Sequence, residues 1–177
     1  MSRMSRDSVS SSSICSGETP AFSSVLTRRC TKPRISNSPA DTFTEILASA
    51  GLTLGAEDTE AGLAAYRDFW EPHTLTHPAI PYLWEDLRDK GIRIGVLSNT
   101  IWDRDYHSGI FERDGVLDLV DAAVYSSETP WVKPRAEIFQ TAARVLGVDP
   151  AACVYVGDRS FEDVHGPQSA GMRAIWI

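Results

Sequence analysis

From position 41 onward, apolar residues recur first at helical and then at strand spacing. Thr42 and Glu45 fit a capping box, and Phe43, Ile46, Leu47 and Ala50 share one helical face before Gly51 ends it. A second helix is expected from about Asp58 to Glu71, with Leu63, Tyr66 and Trp70 inward and Pro72 as terminator. Residues 79–90 repeat the pattern with Ile80, Leu83, Trp84 and Leu87, and Gly91 stands where a C-cap belongs. Beyond Gly91, short apolar runs alternate with helical stretches, the texture of a parallel sheet wrapped by helices. The predicted strands are Ile92–Leu97, Ala122–Tyr125, Val154–Val156 and Ala174–Ile177. Between the second and third, a helix over about 135–146 presents Ile138, Phe139, Ala142, Val145 and Leu146 to the core. The expected fold class is α/β, with a mostly parallel sheet preceded by helices.

Residues 1–38 break this pattern. They hold twelve serines and six Lys/Arg against two Asp/Glu, with no sustained apolar period, and are expected to be disordered or a mis-annotated start. Such a composition also suits an organelle transit peptide, but no amphipathic helix accompanies it. The expected division is therefore 1–38, a helical segment at 39–90, and a core at 91–177 whose last strand meets the end of the sequence as though truncated.

Charge and cysteines narrow the partners. Residues 39–177 carry eleven Lys/Arg against 22 Asp/Glu, which disfavours a nucleic-acid surface. No apolar run approaches the roughly 18 residues of a membrane span. Cys15, Cys30 and Cys153 are scattered and odd in number, which suits a reducing, cytoplasmic setting, with Cys153 as core filler.

Ligands of open parallel sheets bind beyond the carboxyl ends of the strands, so the polar residues there carry the candidate chemistry. Ser98, Asn99 and Thr100 follow IRIGVL, where a hydroxyl and exposed amides can hold an anion or simply cap a helix. Lys133, in PWVKPRAEIF, can neutralise a phosphoryl group or be a solvated surface charge. In VYVGDRSFEDVHG, Gly157 permits a tight turn and Asp158 and Asp163 can face one point as hard ligands for Mg²⁺. The bland alternative makes Asp158 a cap and Asp163 a solvent-facing acid. His73 and His77 are bracketed by Pro72 and Pro78 and do not form a zinc-hydrolase helix. His107 and His165 lie near the expected mouth and are read as structural or solvent-facing. Trp102, Trp131 and Trp176 are read as packing residues.

Taken in order, Ser98, Lys133 and Asp158/Asp163 resemble motifs two, three and four of the haloacid dehalogenase (HAD) superfamily over roughly residues 91–177. The helices at 41–90 are similar to part of the helical cap that many members insert after their first motif. The resemblance implies a Rossmann-like three-layer core and an aspartate nucleophile, with Mg²⁺ in the members that act on phosphate esters. Carried over, Ser98 binds the transferring group with Asn99 in support, and Lys133 is the catalytic residue that stabilises nucleophile and intermediate. Asp158 and Asp163 would hold or orient Mg²⁺. The implied function is a Mg²⁺-dependent phosphatase acting on a small phosphorylated metabolite; a non-catalytic phosphate-binding or regulatory protein is the alternative.

The sequence departs from the family at its first motif, an apolar strand ending in Asp-x-Asp. Residues 8–38 contain no aspartate, and Asp103-Arg104-Asp105 falls after the second motif, where acids favour a helix start. In the family fold the missing strand lies between the strands ending at Ser98 and Gly157. An incomplete core is therefore expected, with AFSSVLT at Ala21–Thr27 a poor substitute and hydrolysis of phosphate esters negligible.

Overall fold

The computed structural model of the chain describes residues 38–177. Apart from Ser38, the expected disorder of 1–38 and the strand substitute at Ala21–Thr27 lie outside the described residues.

Three helices come first: α1 (Pro39–Ser49), α2 (Ala56–Trp70) and α3 (Ile80–Asp89). The first begins earlier than Thr42 and Glu45 suggest, because Ser38 is the cap. Its hydroxyl accepts from the Asp41 amide at 3.2 Å and the Asp41 carboxylate accepts from the Ser38 amide at 3.2 Å. Pro39 adds a φ already suited to the first helical position. Thr42 is buried instead. A 3₁₀ turn at Glu71–His73 follows α2, and Gly91, with φ 75°, closes α3 in the left-handed region that glycine enters without a Cβ penalty.

Among the hydrophobic side chains of these helices, Leu63 alone is buried. Ala50, Trp70 and Leu83, expected inward, are exposed. Helical period identifies an apolar stripe, but the stripe is buried only where another element lies on it.

The remainder alternates strand and helix: β1 (Gly95–Ser98), α4 (Arg104–Arg113), β2 (Ala122–Tyr125), α5 (Ala136–Leu146) and β3 (Val154–Gly157). A π-helical turn at Ser160–His165 then leads through α6 (Gly166–Ser169) to β4 (Arg173–Trp176). β1 is shorter than the run Ile92–Leu97. The Ile94 amide donates to the Asp121 carboxylate at 2.7 Å instead of to a strand carbonyl, while its own carbonyl still accepts from the Asp121 and Ala122 amides at 2.9 and 3.3 Å.

Among the described residues all strand pairing is parallel, but it forms two separate pairs. Gly95 lies opposite Ala122 in the pair β1–β2, and Val154 opposite Arg173 in the pair β3–β4. No ladder joins β1 to β3. This is the place where the family pattern puts its first strand.

Helix α5 holds the two pairs over one core. Ile138 and Phe139 are fully buried and cluster with Val124, Ala143, Ala170 and Met172, while Leu97, Cys153 and Tyr155 pack against them. Burying one such large side chain contributes roughly 1.5–3 kcal/mol. Val145, expected inward, is exposed, and Ala143 takes the core-facing place beneath Phe139. On the opposite face of β3–β4, Val154, Val156 and Ile175 are 43%, 52% and 51% exposed. No helix among the described residues is long and apolar enough to cross a membrane.

Candidate functional site

Ser98 and Asn99 leave the end of β1, Gly157 and Asp158 leave the end of β3, and Lys133 precedes α5. Asp163 comes from the π-helical turn. Both strand pairs thus deliver their polar residues at their carboxyl ends, the rim where parallel sheets take ligands.

Hydrogen bonds connect most of these positions. Asn99 grips the main chain of Lys133 with both ends of its amide: Oδ1 accepts from the Lys133 N–H at 2.9 Å, and Nδ2 donates to the Lys133 carbonyl at 3.2 Å. The peptide from Lys133 to Pro134 is cis. The Lys133 ammonium, on a residue 8% exposed, donates to Asp163 Oδ1 at 2.6 Å and to the Tyr155 hydroxyl at 3.0 Å. Tyr155 in turn donates to the Leu97 carbonyl at 3.2 Å. The second oxygen of Asp163, a residue only 2% exposed, accepts from the Arg159 amide at 3.0 Å.

Gly157 makes room for this carboxylate. A Cβ there would stand 2.5 Å from Asp163 Cγ, so any larger residue would push the acid off its lysine. Close approach, not a left-handed turn, is what requires glycine here, since Gly157 ends β3 without a positive φ.

The electrostatics favour an ionised pair. Burial works against the Lys133 ammonium, but Tyr155 and the Asp163 bond outweigh it and hold the lysine above its ordinary pKa. Burial also pushes the Asp163 carboxyl up, yet Lys133 and the Arg159 amide prevail and hold it below the usual carboxylate range. The Tyr155 phenol is pushed up by burial and stays protonated, as its bond to Leu97 requires.

Asp158 and Ser98 differ from this bonded set. Asp158 is exposed, and its carboxylate has no hydrogen bond or ion pair among the described residues; its main-chain carbonyl accepts from Trp176 Nε1 at 2.8 Å. Ser98 is half-buried, with a hydroxyl likewise uncommitted among the described residues. These are the groups left to meet a ligand. Among the described residues no three His, Cys, Asp or Glu gather as a metal cluster. Mg²⁺ does not require one, since it takes one or two carboxylates and fills its shell with water and substrate phosphate oxygens. Asp158 fits that demand directly, whereas both oxygens of Asp163 are already engaged.

The remaining candidates fall into structural places. Asp103 caps α4 by accepting from the Tyr106 amide at 3.0 Å, so Asp103 and Asp105 are helix-start acids. His107 stacks on Tyr125, with centroids 4.4 Å apart, and its Nε2 lies 3.1 Å from Thr100 Oγ1. His165 stacks on Phe161. Trp102 packs between Tyr66 and Tyr106, and Trp131 lies under the Arg135 guanidinium. Trp176, read as a packing residue, is 67% exposed and holds Asp158 through its indole N–H instead.

Tyr155 is the site residue that sequence reasoning missed. Inside VYVG it reads as one more apolar strand position. Strand alternation nevertheless sets it on the face opposite Val154 and Val156, and a buried tyrosine hydroxyl needs a partner.

Comparison with known proteins bears on the family and the fold. The family model "Haloacid dehalogenase-like hydrolase" matches residues 35–177. The glyceraldehyde 3-phosphate phosphatase of Methanothermobacter thermautotrophicus is 39% identical over 92 residues, covering 52% of this chain and 40% of that protein. A HAD phosphatase structure from Thermococcus onnurineus superposes with TM-score 0.57 at 28% identity, covering 88% of this chain and 65% of that one. A 2-haloacid dehalogenase structure from Pseudomonas syringae pv. Tomato gives TM-score 0.59 at 28% identity, covering 87% and 64%. The chain spans less than half the length of the matched archaeal phosphatase. The family match extends over most of the sequence and includes every element described above: this chain belongs to the haloacid dehalogenase-like hydrolases.

Proposed function

We propose that residues 91–177 form the phosphate- and Mg²⁺-binding part of a phosphatase acting on a small phosphorylated metabolite. The observation that carries this reading is the buried, ionised Lys133–Asp163 pair, set at the rim of both strand pairs and locked to the Ser98–Asn99 turn. Asp163 fixes the ammonium, Asn99 fixes its backbone, and together they hold one positive charge where a phosphoryl group can lean on it. Asn99 and Asp163 are positioning residues in this scheme. Ser98 offers its hydroxyl to a phosphate oxygen, and Asp158 would hold Mg²⁺, which would supply neutralisation of phosphate charge. The preference for phosphate over a halogenated acid rests on these acids and on the archaeal phosphatase relative.

Covalent hydrolysis also needs a nucleophile. Among the described residues no strand pairs with both β1 and β3, so none brings an aspartate to that place. The reading therefore separates binding from turnover. Calorimetric titration of the 177-residue chain with inorganic phosphate is expected to show binding that Mg²⁺ strengthens. Lys133→Met should abolish it and Asp158→Asn should remove the Mg²⁺ effect. Absence of phosphate binding with or without Mg²⁺ would overturn the proposal. Hydrolysis of small phosphate esters is expected to be negligible; turnover that disappears in Asp158→Ala would reveal a nucleophile elsewhere in the chain.

A further inference from the structure

The loop after β1 is fastened by more than its strand. The Thr100 amide donates to Ser126 Oγ at 2.9 Å, and Ser126 Oγ donates to the Thr100 carbonyl at 3.1 Å. The Thr100 hydroxyl oxygen accepts from the Trp102 amide at 3.0 Å. Its own hydrogen then needs an acceptor, and the one within reach among the described residues is His107 Nε2, at 3.1 Å. His107 is held flat against the buried ring of Tyr125 at an interplanar angle of 11°, so the nitrogen is aimed rather than free to swing.

We propose that neutral His107 is a positioning residue for the anion-binding turn: by accepting the Thr100 hydroxyl it fixes the Ser98–Trp102 loop, and proton uptake by His107 loosens that loop and weakens anion binding. The inference rests on the reading of Ser98 and Lys133 as a phosphate site and adds a residue to it.

The chemistry follows from counting hydrogens. An imidazole protonated on Nδ1 presents a lone pair at Nε2, which accepts from Thr100. Imidazolium presents N–H at both nitrogens. Thr100 Oγ1 would then receive two donors, while its own hydrogen would lose its acceptor and have to turn elsewhere. Every buried side-chain nitrogen and oxygen among the described residues has a partner. His107 Nδ1 has none among the described residues, so it retains contact with solvent, the route by which the proton enters.

The surroundings keep the ring neutral near pH 7. Burial lowers the His107 pKa, opposed by Asp103 at the N-terminus of its own helix and by Glu128 from the turn after β2. Glu128 is itself paired with Arg104, whose guanidinium lies 5.4 Å from the Tyr125 ring centre. Tyr106 meets the His107 ring edge-on, and the β1 loop contributes Thr100, which carries no charge.

Sulfate is the suitable probe, because its charge is constant where histidine titrates. Its affinity for the full chain would be followed by NMR at the Ser98 and Thr100 amides from pH 7.5 downward, alongside the His107 imidazole resonances. The wild type should lose about fivefold in sulfate affinity as His107 titrates, roughly the worth of one neutral hydrogen bond. His107→Gln, whose amide oxygen can take the Nε2 place as acceptor, should keep the pH 7.5 affinity and lose the dependence. Thr100→Val should bind weakly at every pH.

Simple charge attraction predicts the reverse sign, since acidification makes any protein more cationic. Affinity that stays level or rises while His107 titrates overturns the inference and leaves the phosphate-site reading standing. Sulfate binding at no pH overturns both.

Discussion

Tyr155 on β3 donates its hydroxyl hydrogen to the Leu97 carbonyl on β1 at 3.2 Å, and this is the one hydrogen bond that directly joins those two strands among the described residues. The same oxygen accepts from Lys133. A single phenol therefore ties together the two strand pairs and the candidate site. Tyr155→Phe would keep the ring against Phe139 but leave the Leu97 carbonyl and the ammonium each one partner short. The expected cost is about 1–3 kcal/mol, read as a lower urea midpoint at unchanged slope.

Removing one member of the buried pair should cost more than removing both. Lys133→Met leaves the Asp163 carboxylate buried without a counter-charge, a loss of about 3–5 kcal/mol. The double variant Lys133→Met/Asp163→Leu should recover a large part of that loss. Urea unfolding of the two singles and the double gives the coupling, and near-additive losses would show that the pair contributes little.

The pair also sets an acid limit. Asp163 titrates below its unfolded value, so its contribution is fully present above about pH 4 and is lost as pH falls through the depressed pKa. Lys133 titrates above its unfolded value, so its contribution is present below about pH 10 and fades as pH rises beyond it. The pair's contribution should therefore be level across neutral pH. Asp163→Asn should flatten the acid limb of a midpoint-versus-pH curve relative to the wild type; an unchanged acid limb would count against the ion pair.

Gly157→Ala tests the close approach at the end of β3. The added methyl would meet Asp163 Cγ and Cβ at 2.5 and 2.6 Å, and relief requires moving a carboxylate held from two sides. Overpacking of this kind costs about 1–3 kcal/mol. The lysine should lose its partner at the same time, so phosphate affinity should fall together with stability, where an ordinary core defect would lower stability alone.

The sequence made some of this legible for a physical reason. Ile138 and Phe139 are found because α5 is long enough for a 3.6-residue period to stand out, and the four strands because each apolar run is bounded by turn residues. Lys133, Asp158 and Asp163 emerged because polar residues at the ends of parallel strands are informative wherever they occur. The spacing of Asp163 could not reveal its partner, since a contact across 30 residues has no local signature. Trp70, Leu83 and Val145 are exposed against expectation for the complementary reason: an apolar stripe records what a helix can bury, and nothing in its period says whether a neighbour is there. Ser38 competed with Thr42 for the cap and won through Asp41 and Pro39, a choice settled by one turn of backbone.

Among the described residues the two strand pairs meet through side chains and through α5, without a shared backbone ladder. The common core makes global unfolding a single event, while local opening should start along the sides of β1 and β3 that carry no ladder among the described residues. Amide exchange should accordingly be slowest along α5, which both pairs share, and faster along β1 and β3.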